Sequence, residues 1–292
     1  MREALQLLVD GLAEGSRIAL VAVGFSLIYG VTKTLHLAHG AIITLGAYLI
    51  WWTSSALGAP LPVALAIAAI AMVLLGMGHE RFLYRTVRRP STSNLIIVVA
   101  ALGAGILLQN LVGVVFGFDT KSIRDATLGA ASGGLQVAGV AIPFTDLGAF
   151  VVAIVVFGAL VAFLRYTKMG RRIRAVEANP LLSSVVGVDY RRVYVWTFGI
   201  GSLVALPASF FIGLNSGLFT TIGFDAMMIG FVVAFAGGIG SLSGTFFASL
   251  LIGVVQSLSL LLIPSSWQQA FTFALMLLIL LARPQGLFGK AA

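Results

Sequence analysis

The chain has 292 residues, 59% of them hydrophobic and only 10% charged, with a mean hydropathy of +1.06. Soluble domains carry about 25% charged residues, so a water-soluble globular fold is excluded and an all-α, polytopic membrane protein is expected. The formal net charge of +8 does not argue for nucleic acid, because the basic residues sit in short loops between apolar runs, where orientation signals belong. The absence of cysteine excludes disulfides and thiol chemistry.

Apolar runs recur from end to end and no small-residue cleavage site follows the first, so Met1 onward is read as mature sequence. At about 20 apolar residues per crossing, spans are predicted at roughly 5–30, 37–57, 60–80, 93–115, 144–164, 193–214, 219–238, 244–263 and 267–282. Glu14 and Arg17 interrupt the first and are placed near one interface. The seventh is short and glycine-rich, so eight crossings plus a re-entrant or broken segment is the other count. Residues 116–143 are polar, glycine-rich and too long for a tight turn; they read as an external loop holding a short hairpin. The whole of 1–292 reads as one transmembrane domain.

The loops set the orientation. RFLYRTVRRP carries Arg81, Arg85, Arg88 and Arg89; the 165–192 loop carries more; Arg283 and Lys290 follow the last span. With nine spans these fall on one face with Lys33, giving it 14 of the 18 basic residues and leaving Arg2, Arg17, Lys121 and Arg124 opposite. Positive loops stay inside, so the C-terminus is expected in the cytoplasm and the N-terminus outside.

The 165–192 loop holds nine of the chain's charged residues: Arg165, Lys168, Arg171, Arg172, Arg174, Glu177, Asp189, Arg191 and Arg192. Within it, Asn179-Pro180 is a helix start, with Asn able to cap free N–H groups and Pro suited to the first helical position. Gly187 fits a C-terminal cap. Between them Leu181, Leu182, Val185 and Val186 share one face, while Ser183 and Ser184 face away. So short a helix is unstable alone in water and needs a surface to dock on. That surface is either anionic lipid or a groove on a partner protein.

This loop, preceded by RYTKMGRRIR, resembles the cytoplasmic coupling loop of ABC-importer permeases of the branched-chain amino-acid (LivH-type) family. SRIALVAVGFSLIYGVTKTLHLAHG (16–40) looks like that family's N-terminal signature, and LLQN (107–110) like its central polar break. AGGIGSLSGTFFASLLIGVVQSL (236–258) and ARPQGLFG (282–289) resemble its glycine-rich segment and tail. No single block is specific; the ordered set, covering around two-thirds of the chain, is. The resemblance implies the ABC importer permease fold, with 165–192 as coupling loop. It implies that the helix from Pro180 to Val186 sits in a groove of a cytoplasmic ATPase, with Glu177, Ala178, Asn179 and Gly187 in the same element. It further implies a second permease subunit, an extracytoplasmic solute-binding protein, and the cytoplasmic membrane of a bacterium or archaeon.

No G-x-x-x-x-G-K-[ST] phosphate loop occurs, so ATP must be hydrolysed by a separate subunit, and no cofactor is expected in this chain. GGIGSLSG (237–244) has the wrong spacing for a dinucleotide loop; Gly240, Gly244 and Ala248 instead form a small-residue stripe for close helix approach, or mark a broken helix lining a cavity.

Polar groups in hydrocarbon are costly and mark pathways. His36 and His39 have a spacing that can serve a metal, but no third ligand lies near in sequence; a satisfied pair near an interface is the plainer reading. The resemblance favours His39 and Gly40 as substrate-facing, with Thr44 and Tyr48 continuing along that helix. Gln109 and Asn110 lie deep in the fourth span, as an interhelical hydrogen bond or a substrate contact. Asp225 and Gln256 are further pathway candidates, Asp225 near the outer interface. Three positions depart from the family's charged pattern: Ala41, Ile229 and Gln256. Their joint loss of charge implies a solute less charged than the family's, or different from it.

The reading is therefore the translocation subunit of an ATP-driven importer for a small polar solute, such as an amino acid, urea or an amide. A secondary transporter or channel is the main rival, disfavoured by the scarcity of membrane-embedded acids. An enzyme would need paired catalytic groups, and Asp119, Asp125 and Asp146 have no evident partners in the sequence.

Overall fold

The computed structural model describes residues 2–88, 93–123, 133–137, 139–238 and 240–289; Arg89, Arg124, Asp125 and Lys290, named above, lie outside them. The axis of the bundle is α1 (Arg2–Thr32), 94% of whose apolar window is buried by other elements. It achieves this with small residues. A Cβ at Gly11 would fall 2.7 Å from Cα of Val254, and one at Gly15 2.7 Å from the Ser249 carbonyl oxygen, so the facing helix α12 (Leu242–Ser259) lies backbone to backbone against it. In lipid the hydrophobic effect gives no reward for helix association, and such close packing supplies it instead.

Around this axis, α2 (His39–Trp51) runs on through a π-helical turn at Trp52–Ala56, and α3 (Leu61–Gly78) through another at His79–Tyr84 into α4 (Arg85–Val87). Then come α5 (Asn94–Phe116) and the hairpin β1 (Gly134–Val137) and β2 (Val140–Pro143), paired antiparallel with Gln136 opposite Ala141. The Gln6 side chain exchanges two 2.9 Å hydrogen bonds with the Ala141 backbone and ties the expected hairpin to α1. The chain continues through α6 (Phe144–Tyr166), α7 (Lys168–Ala178), α8 (Pro180–Val185), α9 (Tyr190–Val204), α10 (Leu206–Ser216), α11 (Ile222–Gly237), α12 and, after a short 3-10 turn, α13 (Gln268–Ala282). The last is peripheral, with only 6% of its window buried.

A helical stretch stands at each of the nine predicted spans, and seven among the described residues are long and apolar enough to cross a membrane. The other two, α2 and the 16-residue α11, start inside the bundle. Residues 33–38 fold back along α1, so that His39 at the start of α2 lies beside Gly24, about 12 Å from the α1 terminus at eight residues of helical rise. There Gly40 meets Gly223 at the start of α11, whose N–H donates to Thr44 Oγ1 at 3.1 Å. The sixth span is two helices, because Pro207 has no N–H to return to the carbonyl of Leu203.

One expectation is corrected here. Gly240 is not part of a helical stripe: α11 ends at Gly237, Gly238 and Gly240 adopt φ of +106° and +84° in the turn, and Ser241 caps α12. The small-residue contacts start at Gly244, packed on Gly237, and continue through buried Ala248 to Gly253 against Gly15. Arg17, expected near one interface, is 7% exposed and pairs with Glu14 at 2.8 Å and with Asp146, in the first turn of α6, at 2.7 Å. Asp146 and Asp119, partnerless in the sequence, pair with Arg17 and Lys121: the first is a largely buried carboxylate that needs its partner, the second an exposed pair at 3.7 Å.

One end of the bundle gathers Lys33, the Arg88 region, α7–α8 and the tail, whose Leu287 and Phe288 N–H groups donate to the carbonyls of Ala236 and Gly237. Arg2 approaches Gly139 of the hairpin at the opposite end.

Candidate functional site

At the gathered end, α7 is seated by buried Ile173 and Val176, with Thr167 capping it through the Gly170 N–H at 2.9 Å. Asn179 then breaks the helix with extended backbone, and its Oδ1 accepts from the Leu181 and Leu182 N–H groups at 3.0 Å each. Pro180 occupies the first position of α8, as its missing N–H allows. Gly187 closes the element at φ +84°, a conformation that costs only glycine little. The faces divide unexpectedly: Ser183 is the buried one, bonded back to the Asn179 carbonyl, while Leu181, Leu182, Val185 and Val186 are 65–82% exposed. Each such side chain gains about 1.5–3 kcal/mol on full burial, so α8 presents an apolar face ready for a partner.

Glu177, at the end of α7, lies against Gly30 of α1 and near Lys33 and Arg174. Burial raises its carboxyl pKa above the ordinary value, against the pull of those two cations. Ala178 is exposed beside it.

A second constellation lies inside. His36 Nδ1 is 2.8 Å from the Tyr84 hydroxyl, and the His36 ring packs at 4.8 Å on Phe198 and 5.5 Å on His79. His39 is fully buried, 5.6 Å from His36 and close to the Val21 backbone. His36 Nε2 has no hydrogen-bond partner among the described residues, so the pair is only partly satisfied, and the fold-back of residues 33–38 carries both rings into the bundle. His79 joins them and is held by the Leu75 carbonyl at 2.8 Å, yet no three ligating side chains among the described residues converge in a metal-holding arrangement. Beneath the rings, Glu80 is buried and bonded to Arg88 at 2.8 and 3.2 Å. Arg88 also donates to Thr34 at 2.8 Å and lies 5.0 Å over the Tyr194 ring, so one guanidinium ties together three segments.

Residues 7–280 match the protein family described as "Branched-chain amino acid transport system / permease component". The chain belongs to this family of permeases. Over 98% of its length, and 96% of the relative's, it is 33% identical to the high-affinity branched-chain amino acid transport system permease protein LivH of Escherichia coli K12. Over the same shares it is 31% identical to the BraD permease protein of Pseudomonas aeruginosa. A solved structure, PsaBC from Streptococcus pneumoniae in complex with Fab, matches 94% of this chain and 91% of its own at a TM-score of 0.51 and 14% identity, a likeness of fold alone. Both relatives are named as permease proteins of high-affinity branched-chain amino acid transport systems.

In this permease the predicted pathway residues do not form one site. His39, Gly40 and Thr44 are buried at the start of α2, and Tyr48 is buried near its other end against Trp51 and Phe116, where its hydroxyl has no partner among the described residues. Asn110 faces outward on peripheral α5, its amide donating to its own helix at Ile106 (2.8 Å), and Gln109 beside it is partly exposed. Among the described residues neither side chain makes an interhelical hydrogen bond, one of the two roles considered for them. Asp225 is exposed and accepts from Thr221 at 3.3 Å. Gln256 is buried on α12 with its Oε1 unpartnered among the described residues. Ala41 is buried in α2, and Ile229 packs on a cluster with Ile18, Ala22 and Val233.

Sequence reasoning missed His79, Glu80, Tyr84, Arg88 and Phe198. One signal was available: Glu80 is the only acid between Glu14 and Asp119, and an acid at the end of an apolar run calls for a named partner.

Proposed function

We propose that this permease is the translocation subunit of an importer for a small polar solute, driven by cytoplasmic ATPase subunits that dock on α8. One observation carries the reading: a helix capped at both ends, standing on a charged platform, turns its apolar face outward. A surface of that kind is stable in water only when something covers it. The end bearing α7, α8 and the tail then faces the cytoplasm, in keeping with its excess of Arg and Lys.

The connection inward is direct. Asp189 accepts from the Arg191 and Arg192 N–H groups and starts α9 immediately after α8. Two turns on, about 12 Å along the helix, Phe198 packs on His36 and Tyr84 at the fold-back leading into α2. A push on α8 thus reaches the start of α2, where His39, Gly40 and Thr44 are pathway candidates, with Tyr48 further along the same helix. Exposed Asn110 and Asp225 fit contact with a second permease subunit, and an extracytoplasmic binding protein delivers the solute. The named relatives carry branched-chain amino acids, and an amino acid is the first solute to test. The uncharged Ala41, Ile229 and Gln256 favour a compound with less charge, such as urea or an amide.

The test is co-purification with the host's ATPases, comparing wild type with a variant in which Leu181, Leu182, Val185 and Val186 are all changed to Ser. Wild type should retain the ATPases and the variant lose them, with unchanged thermal stability because the four side chains are exposed. Equal retention, or none by either, rejects α8 as the coupling element. Uptake of labelled leucine by vesicles holding the assembled transporter decides the solute class.

A further inference from the structure

Two hollows adjoin α9. The upper, about 410 Å³, is an apolar crevice with Val156, Ala159 and Phe163 of α6 on one wall and Ile200, Leu203 and Pro207 of α9–α10 on the other. The lower, about 290 Å³ between α7 and α9, is lined by Met169, Arg172, Asp189, Arg192 and Trp196. Trp196 of the lower and Ile200 of the upper stand one turn apart on α9. Arg192, Trp196, Ile200 and Leu203, at i, i+4, i+8 and i+11, share a helical face.

Read along that face, a guanidinium is followed by an indole and then by aliphatic side chains. Trp196 is 52% exposed and Leu203 43% exposed, so the stripe is not covered by this chain. Charge is in excess at the lower part. Asp189 answers Arg192 at 3.1 Å, but Arg172 has no side-chain hydrogen bond or ion pair among the described residues. Arg192 and Trp196 also border a neighbouring hollow lined by Arg81, Arg85 and Arg191, where Arg81 and Arg85 likewise have no such partner among the described residues.

We infer that the two hollows together hold one anionic phospholipid, its acyl chain in the α6–α9 crevice and its phosphate between Arg172 and Arg192, with Trp196 at the glycerol level. The order of charge, amphipathic ring and hydrocarbon matches the order of groups from a headgroup into a leaflet. The crevice lies on helices that cross the bilayer, so a soluble subunit has no access to it. The net positive charge selects an anionic headgroup over a zwitterionic one.

Native mass spectrometry of the full chain in mild detergent tests this, using phosphatidylglycerol and phosphatidylcholine with the same acyl chains. Wild type should retain phosphatidylglycerol preferentially. Arg172→Gln with Arg192→Gln should weaken that retention about 10- to 30-fold and abolish the preference. Ala159→Trp, at an exposed position, should displace both lipids by filling the crevice. The proposal is overturned if the double variant keeps its preference, or if Ala159→Trp leaves binding unchanged while glycerol phosphate competes fully, which would mark a bare phosphate site. It is equally overturned if Ala159→Trp converts a dimer to a monomer without loss of lipid, which would make the crevice a contact between copies.

Discussion

The outer helix α8 and the buried start of α2 invert the usual distribution of polarity in opposite directions. On α8, four aliphatic side chains face out and a serine faces in; at the fold-back and along α2, His36, His39, Thr44 and Tyr48 are buried, with His36 Nε2 and the Tyr48 hydroxyl unpartnered among the described residues. Each inversion costs free energy in the isolated chain, the first by exposing hydrocarbon and the second by burying polar atoms without partners. The difference between them is what each would accept. The outer site lacks apolar cover, which a protein surface supplies, whereas the inner site leaves His36 Nε2 and the Tyr48 hydroxyl without partners among the described residues, and a polar solute or water supplies those.

The inner site should be the fragile one. Arg88→Ala leaves buried Glu80 unpaired and should destabilise the fold by about 3–5 kcal/mol. Adding Glu80→Gln should recover much of that loss in a detergent melting experiment; no recovery would show that Arg88 acts through Thr34 and Tyr194 instead. Tyr84→Phe removes the partner of His36 Nδ1 and should cost about 1–3 kcal/mol. An unchanged melting temperature would mean that this ring nitrogen is satisfied in another way.

The outer site should be nearly silent in stability and loud in binding. Asn179→Ala deletes the cap on two N–H groups, worth about 1 kcal/mol to α8 alone. Amide exchange should quicken at Leu181 and Leu182, and ATPase affinity should fall about fivefold, without a global shift in melting. A global shift of several degrees would place α8 in the structural core of the fold.

The smallest effect concerns Glu177, whose carboxyl pKa is raised by burial. An acid with a higher pKa folded than unfolded binds more protons when folded, so its contribution to stability is fully present at low pH and is lost as pH rises through the folded value. Glu177→Gln should therefore match wild type near pH 4 and become the more stable of the two toward pH 7. The reverse order would mean that Lys33 and Arg174 outweigh the burial.

The chain announced α8 more openly than it announced the inner site. Asn179, Pro180 and Gly187 are local signals, each acting within three or four residues, and the structure uses all three as their chemistry suggests. The inner site is assembled from residues up to 162 positions apart, His36 and Phe198 among them, and no local rule connects those. Asn110 makes the same point from the other side. Its place in an apolar run marked it as a polar group in need of a partner, yet its helix turns it outward and its own backbone at Ile106 serves it.

By itself the sequence determined the membrane class, the positions of the nine helical stretches, the caps of α8 and the end of the bundle to which the basic loops belong. Only the tertiary structure decided that α2 and α11 begin inside the bundle, that Pro207 divides the sixth span, and which face of each helix is covered. The physical reason lies in the solvent. Lipid tails are as apolar as leucine, so a side chain that faces a neighbouring helix and one that faces the bilayer leave the same mark on the sequence. Helix facing is settled instead by where glycines let backbones meet, as at Gly15 and Gly253, and by where a buried charge finds its partner, as Arg88 finds Glu80.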